Sequence, residues 1–203
     1  EAAQAARVSL GVLVDINCGQ NRCGVDPGGP AVALAQAVAR APGLEFRGLC
    51  GYEGHLQAVV DLEERTTKAR EAMARVMATA EAIRKAGLPV DIVSAGGTGT
   101  YNITGDYPGV TEVQAGSYVL MDAAYRRVLH DFDVAGTVLT SVISRAAPDR
   151  AVLDSGMKAI STDQWPPQVV GLPGVRVRSV SDEHLSVDLT DSDSRQLRPG
   201  DKV

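Results

Sequence analysis

The sequence has no run of basic residues long enough to follow a phosphate backbone: its 25 acidic and 20 basic residues are interspersed and leave a net charge of -5. Nucleic acid is therefore excluded as the expected partner. It has no apolar stretch approaching the ~20 residues of a membrane helix, and no charged-then-apolar leader opens it, so a cytoplasmic protein with no membrane partner is expected. Cysteine is scarce. Cys18, Cys23 and Cys50 are odd in number, and the four residues between the first two do not match the two-residue spacing of a zinc knuckle, so reduced thiols are expected. The three histidines, His55, His130 and His184, form neither an HExxH nor an HxH pair, and no metal site is read within the chain.

What is present is ordinary for a folded protein. A hydrophobic share of 44% and a charged share of 22% suffice for a real core over 203 residues, so disorder is not expected. The chain opens on an Ala-rich helical stub that runs straight into a strand. It stops at Pro199-Gly200-Asp201-Lys202-Val203, where a turn launches another strand, so the sequence is expected to be an interior portion of a longer protein.

The order of elements follows from hydrophobic patterning. Val8 to Ile16 is apolar and β-branched without strict alternation, as in a strand covered on both faces. A loop through Gly19-Gln20-Asn21-Arg22-Cys23-Gly24 leads to a helix from about Pro30, with Val32, Leu34, Ala35 and Val38 as its apolar face. A strand from Phe46 to Tyr52 precedes a long helix over Leu62 to Ala86. There Ala69, Met73, Val76, Met77, Ala80 and Ile83 recur at three and four residues as core positions, and Gly87 is the stop. Strands at Val90 to Ser94 and Thr111 to Gln114 complete a βαβα rhythm that specifies a parallel sheet. Beyond Phe132 only short β-type runs follow: Val134 to Ser144, Ala151 to Asp154, Val175 to Val180 and Leu185 to Leu189. The expected division is an α/β part over residues 1–133 and an all-β part over 134–203.

In parallel α/β folds functional groups gather on loops after the C-terminal ends of strands. Those loops carry Arg22, Tyr52, His55, Gly96-Gly97-Thr98-Gly99-Thr100, and Gln114 to Tyr118. The glycine-rich turn can direct several main-chain N–H groups, with two threonine hydroxyls, at one anion, and Gly97 and Gly99 are expected to use positive φ. A tight βα turn with no ligand is the competing reading. It lacks the Lys-Ser/Thr ending of a P-loop and the spacing of a dinucleotide site, so a small phosphate-bearing cofactor fits it better than ATP or NAD. Arg22 can meet an anionic or aromatic ligand or make a surface ion pair, and His55 can serve as a base or as a hydrogen-bonded loop residue. Lys158 is read as structural, and Lys68, Lys85 and Lys202 as solvated charges.

Taken in order, Val12-Leu13-Val14-Asp15, Gly19 to Val25, Gly51-Tyr52-Glu53-Gly54-His55, Gly96 to Thr100, Glu112 to Asp122, Val152 to Lys158 and Asp182-Glu183-His184 resemble the D-threonine aldolase and D-serine dehydratase family over nearly the whole chain. The resemblance implies part of a (β/α)8 alanine-racemase-like barrel that holds pyridoxal 5'-phosphate, followed by a C-terminal β domain. It implies a D-amino acid substrate and a homodimer. The lysine that carries the cofactor is implied to lie ahead of Glu1. The ligands of a divalent metal are implied as a His-x-Cys or His-x-Asp pair after Val203. It assigns Gly96, Gly97, Thr98, Gly99 and Thr100 to the phosphate with Tyr52 close by, Arg22 to the pyridine ring or its phenolic oxygen, Ser94 and Gln114 to the cofactor, and His55 to catalysis. The family's aldolases place their catalytic histidine six residues after the tyrosine, where this chain has Ala58. The implied reaction is retro-aldol cleavage of a D-β-hydroxy amino acid to glycine and an aldehyde. Dehydration of D-serine or D-threo-3-hydroxyaspartate, racemisation, and non-catalytic pyridoxal-phosphate binding are the alternatives.

Overall fold

A computed structural model describes all residues, 1–203. They form two compact units: Glu1–Val119 with Val128–His130, and Leu120–Arg127 with Asp131–Val203.

The first unit contains a short helix α1 (Ala2–Ala5), strand β1 (Leu10–Asp15), α2 (Gly29–Arg40), β2 (Leu44–Gly51), α3 (Leu62–Lys85), β3 (Ile92–Ala95), the one-turn helix α4 (Tyr101–Thr104) and β4 (Glu112–Val113). All strand pairs are parallel, in the order β1-β2-β3-β4, so the sheet is open with β1 and β4 at its edges and forms no closed barrel within these residues. Parallel neighbours need crossovers, and α2 and α3 supply two of them. Helix α3 starts where Asp61 accepts the Glu64 amide at 2.7 Å, an N-cap that satisfies one of the four orphan donors, and it stops before Gly87. Met73, Val76, Ala80 and Ile83 are fully buried against Val14, Phe46, Leu49 and Val93, and Met77 is packed at the margin of this core.

Two details differ from the periodicity. On α2 the buried positions are Ala31 and Ala35, whereas Leu34 is exposed: it lies one residue, about 100° of helix, from Ala35 and turns outward. In β2 the register slips opposite Val12 and Leu13, and Gly48 adopts φ +149; any Cβ there would run into the Ile92 carbonyl, so the bulge requires glycine.

The second unit contains β5 (Val142–Ala147), β6 (Arg150–Leu153), β7 (Val175–Val180) and β8 (Leu185–Leu189), an antiparallel sheet in the order β5-β6-β8-β7. Its inward positions Val142, Ala151, Leu153, Val175, Leu185, Val187 and Leu189 form a separate core. The strand expected to start at Val134 starts at Val142. Residues 134–139 have no partner strand, and Leu139 is 76% exposed; apolar character alone does not create a strand without a ladder to join. Thr140 instead exchanges two backbone hydrogen bonds of 2.8 Å with Val203. No helix is long and apolar enough to cross a membrane.

Candidate active site

The parallel sheet delivers the loops that follow its strands to one end, the C-terminal end of the strands. After β1 the chain folds back on itself: the Asn17 side-chain oxygen accepts from the amides of Gly19 (3.3 Å) and Asn21 (3.1 Å), and Ile16 pairs with Val25. This tight loop presents Arg22, whose guanidinium lies 5.5 Å from the centre of the Tyr52 ring at the end of β2. Between them is a small pocket, lined among others by Asp15, Cys18, Cys50 and Gln114. Arg22, Tyr52 and Gln114, which come from three different strand ends, are thus brought together.

A chain of hydrogen bonds orients Gln114. The Ser94 hydroxyl donates to Glu112 Oε1 at 2.5 Å, so its oxygen is free to accept, and Gln114 Nε2 donates to it at 2.9 Å and also lies 3.2 Å from the Cys50 sulfur. With the amide nitrogen so used, Gln114 offers a ligand its carbonyl oxygen. Ser94 is itself buried and lies behind Gln114 rather than in the pocket lining. Burial pushes the Cys50 thiol above its usual range. Cys18 is pushed up to about 12, chiefly by burial and then by the charge of Glu53.

The glycine-rich turn is built differently from the expectation. All five residues from Gly96 to Thr100 are buried, and only Gly96 has positive φ, at +71; Gly97 and Gly99 do not. Four of its five main-chain donors are engaged within the protein instead of facing an anion. Gly96 N donates to Glu53 Oε2 (3.1 Å), Gly97 N to Thr100 Oγ1 (3.3 Å), Gly99 N to Gln57 Oε1 (2.7 Å) and Thr100 N to the Gly97 carbonyl (3.2 Å). The Thr98 oxygen accepts from the Tyr118 amide at 3.1 Å, which ties the turn to the loop after β4 and leaves the Thr98 proton to donate. Gly97 packs closely against Tyr52 and Gln57: a Cβ there would sit 3.0 Å from Tyr52 Cε2 and 2.6 Å from Gln57 Oε1.

His55 is not brought to this pocket. It is exposed, and its imidazole lies beside Gly19, within reach of the charges of Lys68 and Arg75 on α3. Partial burial, then those two cations, lower its pKa, while Glu53 opposes them. Lys158 is paired with Glu183 at 2.6 Å on the surface of the second unit. No group of three His, Cys, Asp or Glu side chains could hold a metal ion. Glu53 and Gln57 went unrecognised as site residues. A lone acid in Tyr52-Glu53-Gly54 reads as a loop charge until the fold brings Thr100 and Thr104 to it.

Residues 1–124 match the alanine racemase N-terminal domain, and residues 135–203 match a serine dehydratase domain. Over 98% of its length the chain is 39% identical to the 3-hydroxy-D-aspartate aldolase of Paracoccus denitrificans (strain Pd 1222), and covers 55% of that protein. It superposes on the crystal structure of D-threonine aldolase from Filomicrobium marinum with a TM-score of 0.94 at 41% identity, covering 99% of this chain and 55% of the other. The D-threo-3-hydroxyaspartate dehydratase of Delftia sp. HT23 matches at a TM-score of 0.81 and 27% identity, with 99% and 59% covered. The chain thus spans little more than half the length of the relatives it matches.

Proposed function

The chain belongs to the D-threonine aldolase and D-serine dehydratase family, built on the alanine racemase N-terminal domain, and from that premise we propose that its parent protein is a pyridoxal-phosphate-dependent lyase of D-β-hydroxy amino acids. The observation that carries this reading is the pocket at the C-terminal strand ends, where Arg22, Tyr52 and Gln114 converge beside a buried glycine-rich turn. Retro-aldol cleavage to glycine and an aldehyde is favoured, because the aldolase structure superposes more closely than the dehydratase.

The residues fit a flat, phosphate-bearing aromatic group. Arg22 offers an always-charged planar donor over an aromatic face, Gln114 a directed acceptor, and Thr98 a hydroxyl proton with no acceptor of its own. The phosphate contact in this reading rests on Thr98, since the amides of Gly96, Gly97, Gly99 and Thr100 are engaged within the protein. When bound, pyridoxal phosphate supplies the electron sink for breaking the Cα–Cβ bond. Arg22, Tyr52 and Gln114 would hold the ring, and the packing of the turn against Tyr52 would keep water from that side. His55 has no part here. The residues present do not make a metal site, and no step is assigned to a metal; its ligands are proposed to lie outside this chain.

The test is product analysis of the full-length protein supplied with pyridoxal phosphate, a divalent metal and D-threonine. Glycine and acetaldehyde in equal amounts support the aldolase reading. 2-Oxobutanoate and ammonia would replace it with the dehydratase, and no turnover of any D-β-hydroxy amino acid would end both.

A further inference from the structure

We propose that Glu53 is a positioning residue: its carboxylate sets the shape of the Gly96–Thr100 turn and thereby the protein's grip on the phosphate of its cofactor. The proposal rests on the reading of that turn as the phosphate side of the site.

Glu53 follows Tyr52 directly, so the end of β2 presents the Tyr52 ring to the pocket and buries the next side chain with 0% exposure. Both of its oxygens accept. Oε2 takes the Gly96 amide at 3.1 Å, while Oε1 takes the hydroxyls of Thr100 and Thr104, each at 2.6 Å. The directions are forced. Thr100 Oγ1 already accepts from Gln57 Nε2 (2.9 Å) and Gly97 N (3.3 Å), so its own proton goes to Glu53. Glu53 is an acceptor three times over, and no lysine, arginine or histidine forms an ion pair with it. A buried carboxylate held only by neutral donors is costly unless every lone pair is used, so the donors must stay where they are.

Gln57 extends the same lattice: its Oε1 accepts Gly99 N and its Nε2 bonds Thr100. Two of the turn's amides, Gly96 N and Gly99 N, are thus fixed by two side chains from the loop after β2, and a third, Gly97 N, is held by the Thr100 hydroxyl that both of those side chains bond. That commitment aims the turn's remaining polar group, Thr98, away from the lattice. The loops after β2, β3 and β4 then behave as one body, because Thr98 also holds the Tyr118 amide. An isosteric amide cannot replace Glu53. One end of a glutamine is a donor, and it would face either the Gly96 N–H or the two threonine hydroxyls.

The experiment compares pyridoxal phosphate with pyridoxal, which has the same ring but no phosphate, binding to the full-length protein and to its Glu53→Gln, Thr104→Val and Gly97→Val variants. Hydrogen exchange of the segment 96–100 is followed alongside. Glu53→Gln is expected to weaken pyridoxal phosphate binding by about tenfold or more, with pyridoxal changed by no more than about twofold, and to speed exchange in the turn. Thr104→Val, which leaves the carboxylate and removes one donor, should give a smaller change of the same kind and decides the matter if Glu53→Gln does not fold. Folded variants that keep the wild-type preference for the phosphate would overturn the inference. Were Gly97→Val to lose the preference while they keep it, Glu53 alone is wrong; a wild-type protein with no preference would overturn the phosphate reading and this inference with it.

Discussion

Gly99→Ala is the smallest change that should damage the turn, and its cost can be worked from the geometry. A Cβ at Gly99 would lie 2.9 Å from both the carbonyl carbon and Cα of Gln57, and closer still to the Gln57 oxygen. Carbon atoms rest at about 3.5–4.0 Å, so the Gln57 backbone has to retreat by over half an ångström. Gln57 is only 5% exposed and is held through both ends of its side chain, so it cannot yield freely. Overpacking of this kind costs about 1–3 kcal/mol. Separating Gly99 N from Gln57 Oε1 strands a buried donor for about 1–3 kcal/mol more. A total of about 2–6 kcal/mol is a large part of the ~5–15 kcal/mol that holds a domain together. The assay is denaturant unfolding of the full-length protein by circular dichroism, with Gly29→Ala as control. Nothing lies within 4 Å of a Cβ at Gly29, at the first turn of α2, so that change should be neutral. A Gly99→Ala protein as stable as the control would refute the packing argument.

Arg22→Ala removes an exposed cation–π contact of about 0.5–1 kcal/mol and should leave the protein folded with its cofactor bound but its visible spectrum shifted; unchanged spectrum and turnover would return Arg22 to a surface role. Alkylation at pH 8 should label exposed Cys23 first and Cys18 last, since a thiol pushed up to about 12 is thiolate in roughly one molecule in ten thousand; early loss of Cys18 in a mass-spectrometric time course would contradict its burial. Asp61→Ala should cost about 1 kcal/mol by freeing the Glu64 amide, and Asp61→Ser should restore most of it; equal melting of all three forms would remove the cap from the account.

The sequence carried the framework because its signals are local. Helix α3 was expected over Leu62 to Ala86 and runs Leu62–Lys85, since its cap, its three-and-four periodicity and its terminal glycine all lie within the segment. That the loops bearing Arg22, Tyr52 and Gln114 meet at one pocket was legible for the same reason: strand ends are visible in a sequence, and parallel strands bring those ends together. What was not legible depends on partners far along the chain. The donors of the Gly96–Thr100 turn were expected to face a ligand, but which way an amide points is set by Glu53 and Gln57, more than forty residues earlier. Placing His55 beside Gly19 needs the packing of α3, and the run from Val134 to Leu139 lacks a ladder, which no pattern in its own residues reveals.

The central claim is that the pocket of Arg22, Tyr52 and Gln114, with the turn behind it, holds pyridoxal phosphate. A crystal structure of the full-length protein grown with pyridoxal phosphate tests this most directly. The account predicts the ring beside Arg22 and Tyr52, Gln114 Oε1 at its edge, a phosphate oxygen within hydrogen-bonding distance of Thr98, and Glu53 still bonded to Gly96, Thr100 and Thr104. A cofactor bound elsewhere, or a phosphate out of reach of Thr98 on any side of the turn, would contradict it.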